Sequence, residues 1–283
     1  MEHEPVASTP LDRTVALEPI GACDRYLGAP VELGHTACAR EGALSAGTIP
    51  VNAPRPVAAS VEARPPVYGI VAIDLDGTLL PGATILEALA AELGTGDQVA
   101  RLELDFAAGT ISNTEIADLT AASLRGVSLS VVKRALSTVS WLPGIAQSIE
   151  LLQGAGCTVL LATVTWEFAA EIVGRQFGFD YWCGTRMGHL RGDLTGEVES
   201  YFSAADKAVF ARQLCVRLGI SLSRLVAVGD SRSDIELFGV AGLAMAVNAT
   251  PAAISAADVS LTIRDLRDIV PFVVDYLDAL PGA

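Results

Sequence analysis

Asp74 and Asp76 stand two residues apart where an apolar run over residues 67–73 gives way to Leu75 and then to Gly77-Thr78. The run reads as a buried β-strand. Gly77 permits the backbone curl that lets both carboxylates flank one point at the strand end. Three further positions offer polar groups in the same kind of place. Thr163 follows an apolar strand over 158–162, Asp230 and Asp234 follow another over 225–228, and Lys207 lies near the start of a helix between them. If the strands are neighbours in a parallel sheet, their carboxyl ends open into one crevice.

That set has a definite chemistry. Asp74, Asp230 and Asp234 supply hard oxygen ligands of the kind Mg²⁺ takes, with water and a substrate phosphate completing its shell. A divalent cation and Lys207 would offset the repulsion between a phosphate dianion and a carboxylate nucleophile. The Thr163 hydroxyl can donate a hydrogen bond to a phosphoryl oxygen. One carboxylate can attack phosphorus to give an aspartyl-phosphate. A second, held nearby, can protonate the leaving oxygen and then take a proton from water. Each residue also has a plainer reading: Thr163 as a helix cap, Asp206-Lys207 as a surface pair, an isolated Asp-x-Asp as a turn.

The elements that must position these groups follow from periodicity. After the first strand come four stretches with apolar residues at helical spacing, over 83–93, 98–107, 113–125 and 128–139, with no strand between them. A helix over 144–153 stops at Gly154 and Gly156. Then follow strand 158–162, helix 167–177, a short strand at 181–184, and a hairpin around Leu190-Arg191-Gly192-Asp193-Leu194. Helix 204–218, strand 225–228, helix 234–240, strand 243–247, a short strand at 259–262 and helix 266–277 complete the pattern. This alternation predicts an α/β fold with a Rossmann-like parallel sheet and helices on both faces. The helical stretch is too long for a simple crossover and reads as an inserted all-helical cap. The expected organisation is an α/β core over 67–80 and 141–283, a helical cap over 81–140, and a Pro- and Ala-rich extension over 1–66 that reads as disordered.

Composition narrows the classes. The chain has 283 residues, is 51% hydrophobic and carries a net charge of −14. The acidic balance excludes a general nucleic-acid binder. No apolar run is long enough for a membrane span, and Met1-Glu2-His3-Glu4 lacks a secretory pattern. The five cysteines (Cys23, Cys38, Cys157, Cys183, Cys215) are scattered and odd in number, which suits reduced thiols of a cytoplasmic protein. Cys23, His35 and Cys38 fit no compact zinc spacing. A homodimer stays open.

Asp74-Leu75-Asp76-Gly77-Thr78, Thr163, Lys207 and Gly229-Asp230-Ser231-Arg232-Ser233-Asp234 resemble, in order and spacing, the four motifs of the haloacid dehalogenase-like (HAD) phosphohydrolase superfamily. The subgroup resembled is the phosphoserine phosphatase-like one with a helical cap, over about residues 68–278. The resemblance implies Asp74 as nucleophile, Asp76 as general acid/base, and Thr163 and Lys207 as holders of the phosphoryl group. It implies Mg²⁺ on Asp74, Asp230 and the Asp76 backbone carbonyl, with Asp234 supporting the metal or orienting Lys207. Asp76 favours a phosphatase over a dehalogenase.

The departures from that pattern lie around the substrate. Ala83 stands where phosphoserine phosphatases carry the glutamate that reads the amino group. Asp118 or Thr120 stands where they carry a cap arginine, Thr163-Val164-Thr165 replaces Ser-Gly-Gly, and Ser233 replaces an asparagine. The expected substrate is therefore a small phosphomonoester with a neutral, hydroxyl-rich leaving group (a sugar, cyclitol or other alcohol phosphate) rather than phosphoserine. Ser112, Asn113, Thr114 and Asp118 are candidate hydroxyl readers, with a solvated helix start as their plainer role. The motifs alone do not separate a hydrolase from a phosphotransferase or mutase that uses the same intermediate. A catalytically idle binding module is disfavoured by the presence of both Asp74 and Asp76.

Overall fold

Five consecutive buried apolar residues make the first strand, β1 (Gly69–Ile73), and the reason lies in its position. The computed structural model, which describes residues 67–281, puts β1 at the middle of a seven-stranded sheet of order β4-β3-β2-β1-β5-β6-β7. The other strands are β2 (Cys157–Trp166), β3 (Tyr181–Leu190), β4 (Asp193–Ser200), β5 (Leu225–Gly229), β6 (Leu243–Val247) and β7 (Val259–Leu261). All neighbours run parallel except β3 and β4. A strand covered on both faces has no use for polar alternation, so β1, β5 and β6 are apolar throughout. Ile73 pairs with Leu161 of β2 on one side and Val228 of β5 on the other. The chain moves outward in one direction through β2 to β4, then crosses back to β5, so the switch in strand order falls at β1.

Five helices lie between β1 and β2: α1 (Ile85–Leu93), α2 (Gly96–Ala108), α3 (Asn113–Ala121) and α4 (Leu129–Ser137), with a 3-10 turn at Ala122–Leu124, form the insertion, and a fifth leads into β2. No strand interrupts them. Reciprocal caps start α1 (Thr84 with Glu87) and α3 (Ser112 with Glu115), and left-handed Gly94 and Gly109 end α1 and α2. Ile85, Leu89, Ala117, Val132 and Leu136 join the same apolar cluster as the sheet residues Val71 and Leu161. α2 is different: Val99 is its one buried residue, and it is held in a small separate cluster with Leu86, Ala90 and Ile116.

After α5 (Ile145–Gly154) and β2 comes α6 (Glu167–Phe177). The later helices are α7 (Ala204–Leu218), α8 (Ile235–Phe238), α9 (Pro251–Ala256) and α10 (Val270–Ala279). The β3–β4 hairpin turns at Arg191 and Gly192, both at positive φ. It grips the helical insertion through Gly126 N–H to the Leu194 carbonyl and Leu129 N–H to the Gly192 carbonyl.

Several boundaries differ from the sequence reading, each for a local reason. β2 runs on to Trp166 because an irregularity in its pairing with β3, between Ala162 and Trp166, lets it continue past Thr163. β3 extends to Leu190 because β4 supplies a second partner. α9 carries six residues, too few to show a period, and is announced only by Pro251 in its first turn. The helices expected from 234 and from 266 both open as 3-10 turns, Arg232–Asp234 and Leu266–Ile269. Cys23, His35, Cys38 and the whole 1–66 extension lie outside the described residues; Cys157, Cys183 and Cys215 are buried free thiols. Among the described residues no helix is long and apolar enough to cross a membrane.

Candidate active site

The carboxyl ends of β1, β2 and β5 bring together the residues that sequence spacing singled out. Asp74 leaves β1 with its N–H donating to the Val228 carbonyl of β5 at 2.9 Å, and its side chain is buried. Gly77, at φ +83°, closes the loop that follows, and a Cβ there would collide with the Asp230 carboxylate. Only glycine therefore lets the two strand ends approach so closely. The Thr78 hydroxyl sits between them, 3.4 Å from Asp74 Oδ2 and 3.2 Å from Asp230 Oδ1.

Lys207 is fully buried in the first turn of α7. Its ammonium donates to Asp74 Oδ1 at 2.5 Å, Asp234 Oδ1 at 2.8 Å and Ser233 Oγ at 3.4 Å. The surface-pair reading fails because Asp206 closes a capping box on Ser203 instead, at 2.8 Å from the Ser203 N–H. Asp234 is fully engaged: its other oxygen accepts from the Asp230 and Ser231 N–H groups, each at 3.1 Å. It therefore orients Lys207 and the loop. The Asp230 carbonyl is in turn held by Thr250 N–H at 2.8 Å.

Charge in this crevice is out of balance. Oxygens of Asp74, Asp230 and Asp234 all lie within 4.8 Å of one another. Against these three carboxylates stands one ammonium, leaving two negative charges, the deficit that one divalent cation fills. Burial, with the Asp234 charge next, drives the Asp74 carboxyl well above its ordinary value while Lys207 opposes. Burial and Asp234 likewise raise Asp230 to about 7. Burial alone would lower the Lys207 pKa, but the Asp234 and Asp74 carboxylates outweigh it and hold the ammonium charged. The donor set suits a hard cation such as Mg²⁺, with Asp74 and Asp230 as the carboxylates to hold it.

Asp76 turns away from this cluster. Its Oδ1 accepts from the Ile85 N–H at 2.7 Å, at the start of α1. Burial raises its carboxyl to about 7, the Ile85 hydrogen bond opposes, and the Glu103 charge adds to the rise. Thr163 is buried on the irregular stretch of β2 and lines the same cavity. Its Oγ1 accepts from the Thr165 N–H at 3.2 Å. The cavity, of about 960 Å³, is floored by Asp74, Asp76, Thr163 and Asp230 and walled by α1, α2 and α3.

The candidate hydroxyl readers take other roles, Ser112 the plainer one of a helix start. Ser112 caps α3, and Ser112 Oγ lies 2.8 Å from Thr114 Oγ1, on the surface. Asp118 accepts from the Tyr201 hydroxyl at 2.5 Å outside the cavity. Asn113 does line the cavity, but its amide is committed to the core, donating to the Phe202 carbonyl at 2.7 Å and the Val164 carbonyl at 3.3 Å. Trp166 lines the cavity and stacks on Phe168, ring centroids 5.9 Å apart. Two contributors, Thr78 and Glu103, had no assigned role in the sequence reading. Thr78 could have been found from its place in the first motif; Glu103 and the Arg232–Phe106 contact carry no local signal. The Arg232 guanidinium reaches from the β5 loop to α2, donating to the Phe106 carbonyl at 2.5 Å and lying 4.9 Å from the centre of its ring.

Comparison with known proteins bears on the family and the fold. The family model of haloacid dehalogenase-like hydrolases matches residues 71–239, more than half of the chain. A phosphoserine phosphatase of Methanocaldococcus jannaschii is 27% identical over 205 residues, covering 72% of this chain and 97% of that protein. One of Archaeoglobus fulgidus is 29% identical over 198 residues, covering 70% of this chain but 57% of the relative's length. A solved structure described as a phospho-aspartyl intermediate analogue of phosphoserine phosphatase superposes with a TM-score of 0.65 at 25% identity, covering 72% of this chain and 98% of the other.

Proposed function

The chain belongs to the haloacid dehalogenase-like hydrolase family, and we propose that it hydrolyses a small phosphomonoester through an aspartyl-phosphate on Asp74, with Mg²⁺ as cofactor. The observation that carries this reading is the charge deficit at the β1 and β5 ends, where three carboxylates face one buried lysine. A dianionic phosphate could not enter that crevice without added positive charge.

Asp74 is the nucleophile. One of its oxygens bonds to phosphorus as the bond from phosphorus to the leaving oxygen breaks. Asp76, with a carboxyl raised to about 7, carries a proton near neutral pH and gives it to that oxygen. It then takes a proton from the water that attacks the acylphosphate, freeing phosphate and restoring Asp74. Lys207 and the Thr163 hydroxyl hold the phosphoryl oxygens, and Asp234 keeps Lys207 in place. Mg²⁺ on Asp74, Asp230 and the Asp76 carbonyl would supply the remaining positive charge.

The leaving group is an alcohol (of a sugar, cyclitol or other small molecule) rather than serine. Ala83 presents only a methyl group to the cavity. Asp118 is held outside by Tyr201, and the Thr120 hydroxyl is turned back to the Ile116 carbonyl at 2.7 Å. Neither candidate position thus offers a cation for a substrate carboxylate. Phosphoserine is the second reading, favoured by the names of the relatives.

A screen of phosphate monoesters with Mg²⁺, reading released phosphate, tests both. Release without any added acceptor, abolished by thorough chelation, is the expected result. Transfer only to an acceptor would replace the hydrolase reading, and phosphoserine cleaved far faster than sugar phosphates would overturn the assigned leaving group.

A further inference from the structure

Glu103 is an acid in the cavity for which the reaction has no use. It projects from α2 and lines the cavity with Glu87 and Asp76. Among the described residues its one side-chain hydrogen bond is from a neutral group, the Thr84 hydroxyl, to Oε1 at 2.9 Å. Among the described ion pairs none involves Glu103. Its neighbours on the helix face, Val99, Ala100, Phe106 and Ala107, supply no cation. Arg232, the one cation among the described residues that line the cavity, is committed to Phe106.

The carboxylate is also partly desolvated. Burial foremost pushes Glu103 above its ordinary value, Thr84 opposes, and the Glu87 charge adds to the rise. A half-buried anion beside the Glu87 carboxylate is held at a cost unless something positive joins it. A hydroxyl would supply a hydrogen bond and leave the charge uncancelled; an ammonium supplies both. Because Thr84 and Ile85 are consecutive, the contacts of Glu103 and Asp76 converge on the first turn of α1. A group bound by Glu103 is therefore near the place where the leaving oxygen takes its proton.

We infer that Glu103 receives an amino group of the leaving group, so that the preferred substrate is a phosphomonoester of an amino alcohol. This deepens the hydrolase reading above and rests on it.

The test compares 2-aminoethyl phosphate with ethyl phosphate, which differ by the amine, in wild type and Glu103→Gln with Mg²⁺. In the variant, kcat/KM for 2-aminoethyl phosphate falls by about 10- to 100-fold, the size expected for a desolvated charged hydrogen bond. For ethyl phosphate and for p-nitrophenyl phosphate it changes by about threefold at most. A wild type that treats the two esters alike, or a variant that loses both equally, overturns the assignment. Calorimetric titration of the same two esters into Asp74→Asn, with and without Glu103→Gln, asks the question without turnover. If no ester releases phosphate yet calorimetry still shows the amine preference and its loss, the hydrolase reading falls and Glu103 stands. If phosphate is released and neither measurement shows a preference, Glu103 falls alone.

Discussion

Two cations bracket the site, and they work under opposite conditions. Lys207, behind Asp74 of the floor, is fully buried and paired with Asp74 and Asp234. Arg232, at the mouth, is exposed and rests on one carbonyl and one ring of α2. The difference runs through the whole molecule. The strand-end crevice is organised by charge balance, in which each member depends on the others because water cannot substitute. α2, which carries Phe106 at the mouth, has one buried residue in a small separate apolar cluster.

The sharpest way to break this contrast is at the nucleophile. Asp74→Asn should lower phosphate release by at least ~10⁴-fold. The chain should stay folded, since Lys207 keeps Asp234 as partner. Circular dichroism and the released-phosphate assay check both parts; a variant with substantial turnover would move the chemistry elsewhere.

Lys207→Met comes next. It leaves two buried carboxylates without their ammonium, and a urea titration of the metal-free chain should show a loss of about 3–5 kcal/mol. An equal loss in Arg232→Ala would erase the distinction between floor and mouth.

A pH series sharpens it further. Asp76 and Asp230 have folded-state values raised to about 7, burial being the main cause. Between about pH 4 and pH 7 the folded chain therefore binds protons that the unfolded chain has released. The stability these groups contribute is full below their unfolded value and is lost as pH rises through 7. Metal-free protein should melt at a higher temperature at pH 5 than at pH 8, and Mg²⁺ should raise the melting temperature more at pH 8. Equal Mg²⁺ shifts at the two values would contradict the charge deficit.

The insertion should respond less. Asn113→Ala removes the amide that ties α3 to the core carbonyls of Val164 and Phe202, and should cost about 1–2 kcal/mol. Arg232→Ala should have the smallest effect, under about 1 kcal/mol on stability, with KM raised a few-fold. Thermal melts and initial rates rank the two.

Much of the crevice was legible because its geometry is local. A strand, a glycine and a carboxylate within five residues leave few conformations, so Asp74, Asp76 and Asp230 could be placed at strand ends directly. Lys207 was singled out from its place at a helix start between two strand ends, but its burial carried no local signal, since a lysine in a first helical turn usually faces solvent. Thr163 was expected just beyond a strand and instead lies on an irregular continuation of one, because the neighbour β3 decides where β2 stops. Asn113 looked like a substrate reader because its helix-start position is the same whether its amide meets solvent, ligand or the core. Glu103 gave no signal, as a glutamate on an amphipathic helix is ordinary until the helix is docked.

The order of elements, the buried character of the central strands and the placing of Asp74 and Asp230 at strand ends followed from local composition and spacing, which act over a few residues and need no partner. The pairing of Lys207 with Asp74 across 133 positions, the turning of Asp76 toward α1 and the placing of Glu103 in the cavity came only with tertiary structure. Those contacts depend on which faces of distant elements meet, and no short-range preference of the chain encodes that choice.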